Sequence, residues 1–262
     1  MPADFSRREF LGVAALLGSG SLAGCLDQSL DAEETIVDSF DTDDIESVVV
    51  KTTNGNVDIR GSNQKQLTLE GTKRATDEDG LDDVTVETNH EGSELRIEVD
   101  VDNGGLFSGL FQRNARVDFD VDVPTEMAVT GLSTNGAITI QDGDGNIDAD
   151  TTNGDIAVTK TGATKVAAKT TNGDIALAIG TETDVTVETT NGAVDIELPT
   201  TAEPELSFDT TNGDITVENL AAGDVDADGS VSTTIGDGRS SIEVETTNGD
   251  LAIRGTSSRG TD

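Results

Sequence analysis

The chain of 262 residues has no tryptophan, no tyrosine, one cysteine and one histidine. Each scarcity removes a class of function. The single thiol, Cys25, forbids a disulfide within one chain. With His90 as the sole imidazole, nucleophilic triads and zinc sites lack the residues they need, and His90 itself reads as a solvated turn residue. Without Trp or Tyr to stack on sugar rings, the usual lectin surface is missing. Positive charge is also short: 16 Lys and Arg stand against 52 Asp and Glu, a formal net charge of −36. Phosphate contacts need clustered Lys and Arg, so nucleic acid and anionic head groups are disfavoured as partners.

What the chain does have is a repeat. Thr-Thr-Asn-Gly, usually followed by an acid and then apolar residues at every second position, places its Asn-Gly pair at Asn54-Gly55, Asn153-Gly154, Asn172-Gly173, Asn191-Gly192, Asn212-Gly213 and Asn248-Gly249. Asn135-Gly136, preceded by Ser133-Thr134, is a variant. The steps are 18, 19, 19 and 21 residues (153−135, 172−153, 191−172, 212−191), and the last, 36 (248−212), reads as two steps of 18. A degenerate copy is therefore expected near Asp228-Gly229. Such a period marks a stack in which each unit buries its apolar face against its neighbours.

Alternation on both sides of the Asn-Gly, as in Val185, Val187, then Val194, Ile196 and Leu198, predicts strand, turn and strand. Asn-Gly is also a strong hairpin signal, so an antiparallel hairpin meander or sandwich is the alternative. A hairpin, however, sets Glu188 opposite Asp195 and gives no reason to repeat the threonines. Stacked coils do, because identical Thr and Asn side chains about 4.8 Å apart can bond along the stack. The fold class expected is all-β, a single-stranded β-solenoid of 18–21-residue coils, with the Asn-Gly pairs as a structural turn ladder.

In chain order, residues 1–24 read as a signal peptide. Ser6-Arg7-Arg8-Glu9-Phe10-Leu11 resembles the twin-arginine consensus, and Leu22-Ala23-Gly24-Cys25 resembles a lipobox that leaves Cys25 lipidated. Residues 25–44 are acidic and apolar-poor, and read as a disordered tether. Residues 45–131 read as irregular β coils that begin and cap the stack, with Asp77 to Asp83 as a surface loop. Residues 132–255 read as the regular repeats, and 256–262 as a frayed tail.

Two acidic runs resemble the start of calcium loops: Asp142, Asp144, Asn146 and Asp148, and Asp224, Asp226 and Asp228. Neither has an acid at the twelfth position, so they are weak metal candidates and no cofactor is expected. The stretch from Gly104 to Arg116 departs from alternation. Its Leu106, Phe107, Leu110 and Phe111, with Arg113 and Arg116 nearby, predict either a cap over the open core or a contact loop for a partner or the lipid interface.

The Asn-Gly-Asp-Ile strand-turn units, preceded by a less regular half, resemble the provisional adhesin family of domains of unknown function, which form β-solenoids on exported proteins. The resemblance covers roughly Val48 to Ile253 and implies surface adhesion or assembly without a catalytic residue. The charge resembles that of a halophile's secreted protein, since about 1 M salt shrinks the Debye length to ~3 Å and relieves self-repulsion. The sequence thus predicts a non-enzymatic, lipid-anchored module of the cell surface, membrane-bound through Cys25, with a surface protein or glycan as partner. An envelope-stress or signalling component, and an enzyme acting on surface polysaccharide through a groove with two carboxylates, are the alternatives.

Overall fold

The computed structural model describes residues 30–101, 115–221, 223 and 225–257. The strands are β1 (Ala32–Asp41), β2 (Ser47–Lys51), β3 (Val57–Ser62), β4 (Gln66–Ala75), β5 (Val84–Glu91), β6 (Glu94–Val101), β7 (Arg116–Pro124), β8 (Ala128–Asn135), β9 (Ile138–Gln141) and β10 (Ile147–Asn153). They continue as β11 (Ile156–Thr159), β12 (Lys165–Asn172), β13 (Ile175–Ala178), β14 (Asp184–Asn191), β15 (Val194–Pro199), β16 (Pro204–Glu218), β17 (Val225–Thr234), β18 (Ser240–Asn248) and β19 (Leu251–Thr256). One short helix, α1 (Glu78–Asp82), interrupts them.

The strands build the expected β-solenoid. The two strands flanking each Asn-Gly pair in parallel with the equivalent strands of neighbouring coils. Glu188 accordingly lies beside Lys169 and Glu245 on adjacent strands, not opposite Asp195, so the hairpin alternative does not hold. Alternation gives the core: Val166, Ala168, Ile175 and Leu177 of one coil stack on Val185, Val187, Val194 and Ile196 of the next, all buried. Burying each such Val, Leu or Ile contributes about 1.5–3 kcal/mol, so every coil is held mainly by its neighbours.

The order of coils in space differs from their order in the chain. One ladder runs β6, β2, β8, β10, β12, β14, β18 and the first half of β16. The other runs β7, β3, β9, β11, β13, β15, β19 and the second half of β16. The first regular coil, β2/β3, therefore sits inside the stack with β6/β7 outside it, and the last coil, β18/β19, is inserted between β14/β15 and β16. No degenerate repeat stands at Asp228-Gly229. The 36-residue interval contains β17, which runs antiparallel along both halves of β16 and closes that end. Gly229, at φ +86°, alone spans the corner for which β16 uses Thr210 to Gly213.

Residues 32–41 correct the tether expectation. They form β1, antiparallel on β4, which itself lies antiparallel on β7. Composition misled because the acids are partnered: Glu34 pairs with buried Lys73, Glu33 with Arg74, and Phe40 packs on the core. Residues 77–83 are likewise more than a loop, since the Asp77 carboxylate caps α1 by accepting from the Gly80 N–H at 2.8 Å. The expected boundary between 131 and 132 falls within β8.

Candidate functional site

The corner carrying the repeat is the most regular feature of the surface, and its four residues have four different jobs. The first threonine is buried and donates its hydroxyl to the glycine carbonyl of the adjacent coil: Thr151 Oγ1 to Gly136 at 3.0 Å, Thr170 Oγ1 to Gly154 at 3.1 Å, Thr210 Oγ1 to Gly249 at 3.2 Å. Ser133 does the same to Gly55 at 3.0 Å, which is why serine substitutes there. The second threonine, as at Thr152, Thr171, Thr190 and Thr247, is exposed. The two are equivalent in sequence and opposite in environment.

The asparagines form one polarised chain. Asn135 Nδ2 donates to Asn54 Oδ1 at 2.8 Å, and the pattern continues at 2.9 Å through Asn153, Asn172, Asn191, Asn248 and Asn212. Glycine follows because the neighbouring backbone passes against it. A Cβ on Gly154 would lie 2.0 Å from the Gly136 carbonyl oxygen, and one on Gly249 would lie 1.9 Å from that of Gly192. The acid after the glycine caps the next coil: Asp155 accepts from the Asp174 N–H and Asp174 from the Ala193 N–H, both at 2.8 Å. The corner is thus a self-satisfied hydrogen-bond ladder that presents exposed hydroxyls and amides at about 4.8 Å intervals.

A second feature lies on the outer face near the β1 end. A cleft of about 210 Å³ is lined by Val37, Asp58, Arg60, Glu70, Asp120, Asp122 and Thr139 among others. In register, Val37, Glu70, Asp120, Asp58 and Thr139 form a row across β1, β4, β7, β3 and β9. Burial pushes the Asp58 carboxyl above its usual range; the Thr139 hydrogen bond opposes the shift and the charges of Asp120 and Asp118 reinforce it. Val37 is 66% exposed. Sequence reasoning missed this cleft, since Asp58 and Asp120 meet only through the excursion that places β7 beside β3.

The calcium candidates do not converge. Asp144 accepts from the Gly162 N–H at 3.1 Å, Asn146 accepts from Thr164 Oγ1 at 3.3 Å, and Asp148 lies on β10 beside Thr130 and Ala167. Asp224 and the side chains of Asp226 and Asp228 lie outside the described residues. Among the described residues no three His, Cys, Asp or Glu are grouped to hold a metal. Of the expected contact loop, Leu106, Phe107, Leu110, Phe111 and Arg113 lie outside the described residues, as do Arg7, Arg8 and Cys25. Arg116 begins β7, where its Nη2 is 2.8 Å from Asp118 Oδ1; Asp118 also holds Arg74 at 2.6 Å. Among the described residues, no helix is long and apolar enough to cross a membrane.

Stacked coils with a hydrogen-bonded turn ladder and antiparallel strands over both ends define a class of capped β-solenoid domains. The profile of the Toastrack family, DUF4097, matches residues 29–254, and the chain belongs to that family. It is similar in fold to a protein of Clostridium sporogenes provisionally named a cell adhesion protein, at 14% identity and a TM-score of 0.48 over 86% of this chain and 100% of that one. It is also similar to a provisionally named adhesin of Bacteroides fragilis, at 11% identity and a TM-score of 0.41 over 84% of this chain and 97% of the other. A provisionally named lipid binding protein of Parabacteroides distasonis aligns at 9% identity and a TM-score of 0.34, over 85% of this chain and 96% of that one. No curated protein is detectably similar to the chain in sequence.

Proposed function

We propose that the chain is exported through its twin-arginine signal, lipid-anchored at Cys25, and works at the outer face of the membrane as a non-catalytic interaction or structural module. The observation that carries this reading is the position of Cys25. It closes a lipobox-like Leu22-Ala23-Gly24-Cys25, and only Leu26 to Asp31 separate it from β1. Six residues reach at most about 20 Å, so a lipid on Cys25 holds the β1 end of the stack close to the bilayer. An adhesive role suits a body that offers repeated hydroxyls and amides along one corner, and an excess of carboxylates suits a high-salt surrounding. The apolar residues Phe107 and Phe111 supply a contact for a partner or the lipid interface in this reading.

Fractionation tests it. Cys25→Ser is expected to release the protein into the medium or leave the precursor uncleaved; a variant that stays membrane-bound and processed as before would refute the anchor. Phe107→Ser with Phe111→Ser is expected to lower association with isolated envelopes while the β-sheet circular dichroism signal persists. The cleft at Asp58 favours a second reading. A carboxyl pushed up by burial beside a second carboxyl is the arrangement that acid-base cleavage of a surface glycan needs. Release of reducing ends from envelope glycans, lost in Asp58→Asn, would replace the module by an enzyme.

A further inference from the structure

The coil β18/β19 is the last element of the described chain, yet it occupies an interior position, paired in parallel with β14 and β15 on one side and with both halves of β16 on the other. The slot it fills is made by a crossover that skips a rung. From β15 the chain passes through Thr200 to Glu203 into β16, two rungs on, and Thr200 N donates to the Thr256 carbonyl of the inserted coil at 3.1 Å. We propose that this slot is an interaction site for a second copy of the chain, whose own β18/β19 coil enters it by reciprocal exchange.

Three observations carry the proposal. The occupant's ladder residues are those of its neighbours: Asn248 bonds Asn191 and Asn212 at 2.9 Å as any repeat bonds the next, so a coil from another copy fits identically. The vacated slot can close, because β14/β15 and β16 carry the same Thr-Thr-Asn-Gly and the same apolar positions; the open intermediate then lacks one coil interface rather than two. The connection from β17 is a short turn, with Gly236 at φ +57°, Gly238 at φ +64° and Asp237 between them exposed. Backbone bonds hold it to the crossover and β16, from the Ile235 N–H to the Pro204 carbonyl at 2.8 Å and from the Arg239 N–H to the Glu203 carbonyl at 2.7 Å. Its side-chain latch to the crossover is imperfect. Arg239 Nε is 3.0 Å from Glu203 Oε2, yet that buried oxygen has no hydrogen bond. Exchange of an identical element between protomers is a low-cost route to dimers. The proposal is independent of the anchor.

The test uses exposed positions whose side chains take no part in the ladder bonds; only their backbone carbonyls, which a cysteine keeps, accept from ladder asparagines. One copy carries Thr190→Cys and the other Thr247→Cys, both with Cys25→Ser so that no other thiol is present. The two sites sit on adjacent rungs, about 4.8 Å apart, within disulfide reach. Neither copy can form the bond within itself. After joint refolding in molar salt, which suppresses the repulsion between two acidic chains, exchange yields an oxidised heterodimer of twice the chain mass that reverts on reduction. Thr171→Cys paired with Thr247→Cys, two rungs apart and beyond disulfide reach, sets the background from collisions. A heterodimer no more abundant than this control, with both copies showing native β signal, overturns the proposal.

Discussion

The middle coils and the two ends of this molecule obey different rules, although both are built from strands of alternating inward and outward residues. In the middle, from β8/β9 to β14/β15, chain order equals spatial order and every rung meets a near-copy of itself. There the side chains are dictated by the neighbour: glycine where an added Cβ would lie about 2 Å from the next coil's carbonyl oxygen, threonine where a glycine carbonyl needs a donor, asparagine where an amide must be both donor and acceptor. At the ends the neighbour is no longer a copy. β1, β4, β5 and β17 lie antiparallel, and the edges are settled by ion pairs and a helix cap instead. An open ladder edge invites pairing with other chains, and reversing strand direction stops the repeat from propagating.

The largest test of that contrast compares two glycines. Gly154→Ala should destabilise by about 3 kcal/mol, because its methyl would meet the Gly136 backbone and the whole stack must shift to admit it. Gly229→Ala, in the end strand, has nothing within 4 Å of the added carbon, and costs only the left-handed backbone strain of about 1 kcal/mol. Equal losses in urea melts would erase the distinction between copied and uncopied neighbours.

Next in size is Glu34→Ala, expected to cost about 2 kcal/mol. It leaves Lys73 buried with, among the described residues, only the Val84 carbonyl, at 3.2 Å, to receive it. The loss should be local. Hydrogen exchange should speed up in residues 32–41 while Val166 to Leu177 stay protected, whereas uniform deprotection would mean that the end and the middle unfold as one unit.

The third comparison is within one repeat. Thr170→Val removes the donor to the Gly154 carbonyl inside the corner and should cost about 1–2 kcal/mol. Thr171→Val, one residue on and exposed, should stay within about 0.5 kcal/mol. If the two variants melt alike, the hydroxyl ladder does not hold the coils.

These contrasts also explain what could be read from the sequence. The solenoid, the Asn-Gly ladder and the inward Val, Ile and Leu positions were legible because a copied neighbour imposes a copied residue. Coil order was not, since identical motifs fit any slot. Yet the chain does carry a trace of it. The step from Asn191 to Asn212 is 21 residues rather than 18 or 19, and the extra length climbs a second rung. Both rung-skipping crossovers follow a proline: Thr125 N, after Pro124, donates to Ser62, and Thr200 N, after Pro199, donates to Thr256. β1 was hidden by its acids, whose partners Lys73 and Arg74 are far along the chain, and the Asp58 cleft was hidden for the same reason.

The smallest effect probes the boundary between the two regimes, where β7 and β3 bring Asp58 and Asp120 side by side. Burial raises the Asp58 carboxyl above its ordinary 3.8, so folding favours its protonated form. The sign follows: its stabilising contribution is complete below 3.8, declines as pH rises through the raised value, and is absent at neutrality. Asp58→Asn, which cannot ionise and can still accept from Thr139, should therefore melt slightly higher than the wild type at pH 7. Well below 3.8, where both forms are neutral whether folded or unfolded, the two curves should coincide. A gain that persists unchanged in acid would assign the effect to packing, and a loss at pH 7 would mean that the Asp58 charge is held by a partner in the cleft.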